Sequence, residues 1–385
     1  MGLAGYLIVP HLGLMRGEVL GGAACGGGGT FNCHIVTGSP WGTVLGMPLA
    51  LWGLIGYLAI FGLSLLAWQS PEWAAHAQTL ISLLALVFVA IDLFLFSVMA
   101  FAIRSFCPLC LATYAINLTL LMVSARSLGR PWPAAIRSMG GSLAALVPSA
   151  QRPAAWLFWG IMMTGLSGSL GLHAATTFVS RGSLTSVQPQ LREYLLKQPR
   201  VQVSVTGDPT HGPAGAAVQL IEFSDFLCPA CQRASKLNKI ILANHRDDVE
   251  FVFKSYPLDT SCNDKITRMA HAGACAMAAA GECAQLQGKF WPVHDLFFEA
   301  TDPYNPAHLE GDLRRLGLDV VRFQACMASG EGMEAVKRDI AAAGAVGVMS
   351  TPTYVINGVP LPGMITPATF EDLTHVLEDA ASSSR

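Results

Sequence analysis

Lysine is absent from the first 180 residues, and charge of either sign is scarce there. Only Arg16, Glu18, Glu72, Asp92, Arg104, Arg126, Arg130, Arg137 and Arg152 are charged in that stretch; the other 41 of the 50 charged side chains lie beyond it. A soluble surface is about a quarter to a third charged residues, so the first half is excluded as an ordinary soluble domain. No basic cluster occurs in either half, which argues against a nucleic-acid partner. The N-terminus also lacks the basic segment of a secretory signal, and Ala23-Ala24-Cys25 is a poor cleavage site. No internal repeat is present.

What the first half does contain is long apolar runs. Val44–Trp68, Leu80–Ala102, Phe106–Ser124 and Trp156–Val179 each approach the ~20 residues that a spanning helix needs. Gly2–Leu14 is shorter and is expected to be a first transmembrane helix whose beginning is missing or misassigned, in preference to a signal peptide. Residues 1–180 are thus expected to form an all-α transmembrane helical bundle of four to five spans, with membrane lipid as a partner. The loop Ala125–Ala154 holds four of the arginines and no acid, so the positive-inside rule makes it cytoplasmic. The segment around Cys25 and Cys33, the turn before Cys107 and everything after Val179 then face outward. The chain reads as a multi-pass protein of the cytoplasmic (inner) membrane with its C-terminal domain on the outer, periplasmic side.

All ten cysteines fall on or near that outer side, where disulfides form and persist. Residues 181–200 read as a linker, with a short amphipathic helix over Val187–Lys197. Residues 201–385 read as an α/β domain. Val218–Phe223 is a buried strand leading into Cys228-Pro229-Ala230-Cys231, which opens a helix running to about Asn244. Glu250–Phe253 is the next strand, and a long helical region covers about Asp259–Ala343. Thr353–Ile356 is a strand with an Asn357-Gly358 hairpin turn, and Pro367–Leu377 is a closing helix.

The order strand, Cys-x-x-Cys, helix is that of a thioredoxin-like site, here with a helical insertion. At the helix N-terminus, unpaired N–H groups and the dipole favour a thiolate on Cys228, which attacks and leaves. Cys231, one turn inside, resolves the mixed disulfide, and Pro229 costs nothing in the first turn. Pro352, in Thr351-Pro352-Thr353, stands where thioredoxin-like folds place a cis-proline loop. Glu222 reads either as a solvated edge residue or as an acceptor for the Cys231 proton. Zinc sites also use Cys-x-x-Cys, but Cys262, Cys275, Cys283 and Cys326 supply no second pair at ribbon spacing, so no metal is expected. Those four allow three complete pairings.

In the membrane half, Cys107-Pro108-Leu109-Cys110 begins a spanning helix at the outer face. Cys110, one turn deeper, can meet a lipid-soluble partner, and the natural two-electron acceptor of that kind is a quinone. Cys107, nearer the surface, can exchange with a protein thiol. The alternative is a structural disulfide capping the helix. Cys25 and Cys33 flank the run Gly26–Gly29, a loop able either to swing between two partners or to clamp the bundle.

Two resemblances sharpen this reading. Val218–Cys231, Gln287-Gly288-Lys289-Phe290-Trp291 and Thr351-Pro352-Thr353 make residues 201–385 resemble the DsbA-like branch of the thioredoxin fold. That resemblance implies a nucleophile at Cys228, a resolving thiol at Cys231 and a cis-proline at Pro352. Ala230 departs from the histidine of the family's oxidant. Cys25…Cys33, Ser39-Pro40-Trp41-Gly42 and Cys107-Pro108-Leu109-Cys110 with Thr113-Tyr114-Ala115-Ile116-Asn117 make residues 1–125 resemble the vitamin K epoxide reductase family. Trp156–Val179 resembles the extra helix of its bacterial members. The resemblance implies that Cys110 reacts with a quinone (ubiquinone or menaquinone) and that Cys33 attacks Cys107. It also implies that Cys25 exchanges with the soluble domain, that Ser39 lies near the cysteines and that Tyr114 lines the quinone pocket. Asp92 is left outside the site, since an acid near a helix end can reach water.

Taken together, the expected function is a membrane thiol–disulfide oxidoreductase. Electrons run from reduced or unfolded secreted proteins through Cys228–Cys231, Cys25–Cys33 and Cys107–Cys110 to a quinone. A reductase or isomerase with reversed flow uses the same residues. An electron transporter fed from the cytoplasm needs inward-facing cysteines, which the topology does not offer. A disulfide-bonded scaffold is the non-enzymatic reading.

Overall fold

The computed structural model describes residues 31–149, 155–171, 197–300 and 304–383, apart from Gly46 and Ser70, together with Ala174 and Glu193 singly. Cys25, the expected helix Gly2–Leu14, most of Val187–Lys197 and the end of Trp156–Val179 lie outside the described residues. The chain divides into two compact units, residues 1–185 and 186–385.

In the first unit, a short helix α1 (Cys33–Thr37) is followed by a tiny hairpin, β1 (Thr43–Val44) and β2 (Met47–Pro48). Among the described residues, three helices are long and apolar enough to cross a membrane: α2 (Leu49–Gln69), α3 (Pro71–Ser97, prolonged by a wide turn to Ile103) and α4 (Pro108–Ser127). The first of these starts at Leu49 and not at Val44, because Val44 pairs with Met47 and Pro48 cannot continue a helical hydrogen-bond ladder backwards. The second starts at Pro71, nine residues ahead of the apolar run, because its first turns carry Glu72, His76 and Gln78. Two short helices, α5 (Trp132–Arg137) and α6 (Met139–Ala145), occupy the arginine-bearing loop. A further helix, α7, covers residues 155–171. Glycines permit close helix contact here. A Cβ on Gly56 of α2 would overlap the Phe88 ring of α3, and one on Gly165 of α7 would overlap Leu58 of α2. Small residues at helix crossings are what an apolar solvent leaves as the means of tight packing.

The second unit is built on a five-stranded sheet in the order β3 (Thr210–His211), β5 (Val249–Ser255), β4 (Val218–Ser224), β6 (Thr353–Ile356), β7 (Val359–Pro362). β4 and β5 are parallel and joined through α8 (Pro229–Asn244); the other pairings are antiparallel. Between β5 and β6 lie α9 (Ala274–Gln285), α10 (Phe290–Glu299), α11 (Leu309–Arg315), α12 (Val320–Ser329) and α13 (Glu331–Val346), and α14 (Pro367–Ser383) closes the chain. This is an α/β thioredoxin-like domain with a helical insertion. β5 runs on through Lys254, a residue that marks a strand end by composition. Lys254 is buried because its ammonium meets Asp208 at 2.5 Å and Asp339 at 2.9 Å. The four remaining cysteines pair as Cys262–Cys275 and Cys283–Cys326. The second bond ties α9 to α12 inside the apolar cluster that also holds Phe226, Cys228 and Cys231.

Candidate functional site

Cys228 stands at the N-cap of α8, with Pro229 in the first turn. It is nearly buried and Cys231 is fully so; both are free thiols. The peptide bond Thr351–Pro352 is cis, and the Thr351 carbonyl oxygen lies 3.6 Å from Cys228 Sγ. The hydrogen bond from Cys231 is the main cause that holds the Cys228 thiol down at about 5, and Thr351 and the backbone N–H groups of Cys231 and Ala230 add to it. Burial, the hydrogen bond to Cys228 and the nearby Glu222 carboxyl push Cys231 well up. One sulfur is therefore a ready thiolate and the other a protonated thiol that needs a base.

Glu222 is the nearby carboxyl that acts electrostatically on Cys231. It lies on β4, between β5 and β6, so the alternative of a solvated edge residue is excluded. Its Oε2 accepts from Asn238 Nδ2 at 2.6 Å, and Asn238 Oδ1 accepts from the Tyr354 hydroxyl at 2.9 Å. Burial pushes the Glu222 carboxyl up from 4.5 to about 7. The folded state thus keeps a proton that the unfolded chain has already released, so stability from this group is fully present below about 4.5 and falls as pH rises towards 7. Glu222→Gln should remove that slope. Relative to the parent, the variant should gain ~3 kcal/mol between those limits, read by denaturant titration across the range. A parallel pH profile for parent and variant would show that Glu222 does not titrate there. Glu282, which burial pushes to about 8, acts in the same direction in both proteins and cancels in the comparison.

In the membrane unit, Phe31 bridges Phe106, and Asn32 N donates to Phe106 O at 2.9 Å. The Asn32 side chain then caps α1 by accepting from His34 N at 2.9 Å. These contacts place Cys33 beside Cys107, within hydrogen-bonding reach, in one buried cluster with Met99. Cys107 caps α4, its Sγ accepting from Cys110 N at 3.2 Å, and the two sulfurs lie 2.7 Å apart. Cys107 and Cys110 are both free thiols.

A mostly apolar cavity of ≈ 220 Å³ opens beside this cluster, and Cys110, Ser39 and Tyr114 all line it. Ser39 is a turn residue as well, its hydroxyl donating to Val36 O at 2.8 Å. The same wall holds Asp92, Asn117 and Tyr57, which the sequence reading did not place in the site. Asp92 does not reach water at a helix end. It is buried within α3 and accepts from Asn117 Nδ2 at 2.8 Å, while Asn117 Oδ1 accepts from the Tyr57 hydroxyl at 2.6 Å. The signal available in the sequence was an acid in an apolar span, a functional candidate by default. Among the described residues, no group of three or more His, Cys, Asp or Glu side chains is arranged to hold a metal ion.

Comparison with known proteins agrees with the two halves. Residues 1–125 match the model of the Vitamin K epoxide reductase family, and residues 219–374 match that of the DSBA-like thioredoxin domain. Among curated proteins, the chain is 32% identical over 185 residues to "Na(+)/H(+) antiporter NhaA 3" of Salinispora tropica, covering 48% of this chain and 26% of that one. It is 34% identical over 178 residues to "Na(+)/H(+) antiporter NhaA" of Herminiimonas arsenicoxydans, covering 46% and 26%. The chain thus spans about a quarter of the length of the curated relatives it matches. Among solved structures, a thioredoxin-like oxidoreductase from Silicibacter pomeroyi DSS-3 aligns at 23% identity and a TM-score of 0.39, covering 50% of this chain and 98% of that one. The chain joins a vitamin K epoxide reductase family domain to a DSBA-like thioredoxin domain.

Proposed function

We propose that this chain is a quinone-dependent thiol–disulfide oxidoreductase that oxidises protein thiols outside the cytoplasm. The observation that carries the reading is the cavity wall, where Cys110 shares an apolar chamber with Ser39 and Tyr114 while its sulfur lies 2.7 Å from that of Cys107. A quinone head group fits the donor set, being apolar in its faces and polar only at two oxygens, and bound there it supplies a two-electron acceptor. Thr113, Tyr114 and Trp41 would hold it.

The chain's own residues perform the exchange. A substrate thiolate attacks Cys228 in the oxidised pair, and Cys231 leaves and takes a proton. A second substrate thiol then displaces Cys228, whose low pKa makes it a good leaving group. To regenerate the pair, Cys228 attacks the Cys25–Cys33 disulfide at Cys25, and Glu222 accepts the Cys231 proton as Cys231 closes the ring. Cys33 then attacks Cys107 of the Cys107–Cys110 disulfide and Cys110 leaves. Cys25 displaces Cys107 by re-forming the Cys25–Cys33 bond. The protons of those two thiols end on Cys107 and Cys110, and this dithiol would pass the electron pair on. Fusion of the domains raises the effective concentration of one for the other. The arginines of the loop between α4 and α7 favour a cytoplasmic loop, hence a multi-pass protein of the cytoplasmic membrane with the thioredoxin-like domain outside.

The test is quinone consumption by the purified protein supplied with a reduced, unfolded substrate. One quinone should be reduced for each substrate disulfide formed. Disulfide formation without quinone consumption would overturn the reading.

A further inference from the structure

Residues 1–180 hold only three acids, Glu18, Glu72 and Asp92, and of these only Asp92 lies in the apolar middle of a described span. A carboxyl in that environment is costly, and such residues pair with one another or face a chamber where they act. Asp92 does both. One oxygen is held by the Asn117 amide, which is itself held by the Tyr57 phenol, so the three candidate spans each contribute one member of the chain. The other oxygen, Oδ1, has no hydrogen-bond partner among the described residues, and the residue lines the cavity that Cys110 also lines. Tyr114 lies within electrostatic reach of both Asp92 and Cys110. Polar groups that only join helices satisfy one another completely. Here the chain ends on a carboxyl oxygen left without a partner at the wall of a chamber.

We infer that Asp92 is the proton donor to the quinone oxygen, with Asn117 and Tyr57 as positioning residues; this rests on the quinone reading above. The reaction balances without any further reactant. Two thiols, Cys107 and Cys110, lose two protons and two electrons, their S–H bonds break and one S–S bond forms. The quinone takes both electrons and both protons. Asp92 gives one proton to a quinone oxygen and recovers one released by the thiols, so it ends unchanged. Asn117 fixes the carboxyl by binding one oxygen, which leaves the other for the transfer.

The experiment compares the full-length protein with Asp92→Asn, which keeps the hydrogen bond to Asn117 but carries no exchangeable acid, and with Asp92→Glu. Binding of a short-chain quinone is read by quenching of Trp41 and Trp52, which line the cavity, and quinone reduction is driven by a small dithiol. Asp92→Asn should bind within ~3-fold of the parent yet reduce quinone ~100-fold or more slowly, the range that general acid catalysis supplies. Asp92→Glu should recover part of that rate. Infrared difference spectra of the quinone-free protein, reduced minus oxidised, should contain a carboxyl band that Asp92→Asn removes. A parent that reduces no quinone overturns the functional reading and this inference with it. A parent that reduces quinone alongside an Asp92→Asn variant that matches its rate overturns this inference alone. If Asp92→Asn does not fold, Tyr57→Phe takes its place: it should shift the carboxyl band, and an unmoved band overturns the inference.

Discussion

Cys110→Ala should abolish quinone reduction whatever thiol supplies the electrons, whereas Cys228→Ala should abolish it only when the electrons come from a protein. Cys110 lines the cavity and shares its sulfur contact with Cys107, so nothing downstream of it can replace its thiol. Cys228 belongs to a separate compact unit, and in the proposed path it only collects electrons from substrates. A small dithiol that reduces Cys33 or Cys107 directly bypasses it. Cys25→Ala should behave as Cys228→Ala does, retaining dithiol-driven activity. Cys33 is buried beside Cys107, so Cys33→Ala should slow protein-driven reduction as severely as Cys25→Ala while leaving Cys110 competent. The assay is quinone absorbance with two donors, a reduced unfolded protein and a dithiol. Equal loss of both activities in Cys110→Ala and Cys228→Ala would contradict the division of labour.

Much of this site was legible in the sequence because thiol chemistry needs particular residues at particular spacings. Cys-x-x-Cys followed by a helix places one sulfur at the N-cap by geometry alone, and both pairs, at Cys107 and at Cys228, are found there. Thr351-Pro352 before a strand likewise led to the cis bond beside Cys228. Long-range polar pairing was not legible. Asp92, Asn117 and Tyr57 are separated by 25 and 60 positions, and only the packing of three helices brings them together. Glu222 stayed ambiguous for the same reason, since whether a strand is central depends on β6, which joins β4 from 130 residues away in the chain. The cysteine pairings Cys262–Cys275 and Cys283–Cys326 needed the fold of the insertion. Hydropathy alone also placed the start of α3 nine residues late, because a span can begin with polar turns outside the apolar layer.

With quinone withheld, formation of substrate disulfides should stop once the protein's own disulfides are spent, and adding quinone should restart it. That result requires net flow from substrate to membrane, and the Cys228 environment favours that direction. A thiol held at about 5, against an ordinary 9, is ionised at pH 7. The reduced form is then stabilised by ~3 kcal/mol over a pair with unshifted thiols. At 30 mV for each 1.4 kcal/mol, this makes the pair more oxidising by ~60 mV, about 100-fold in the exchange equilibrium. Isomerisation would instead require Cys228 to stay reduced, and the quinone coupling proposed for the bundle would work against that. The potential can be read on the intact chain carrying Cys25→Ala and Cys33→Ala, which uncouples the soluble pair from the membrane thiols, by equilibration with glutathione. A value above about −200 mV is expected, in the range of oxidants and isomerases. A value near −270 mV, that of thioredoxin, together with substrate oxidation that does not depend on quinone, would reverse the assigned flow.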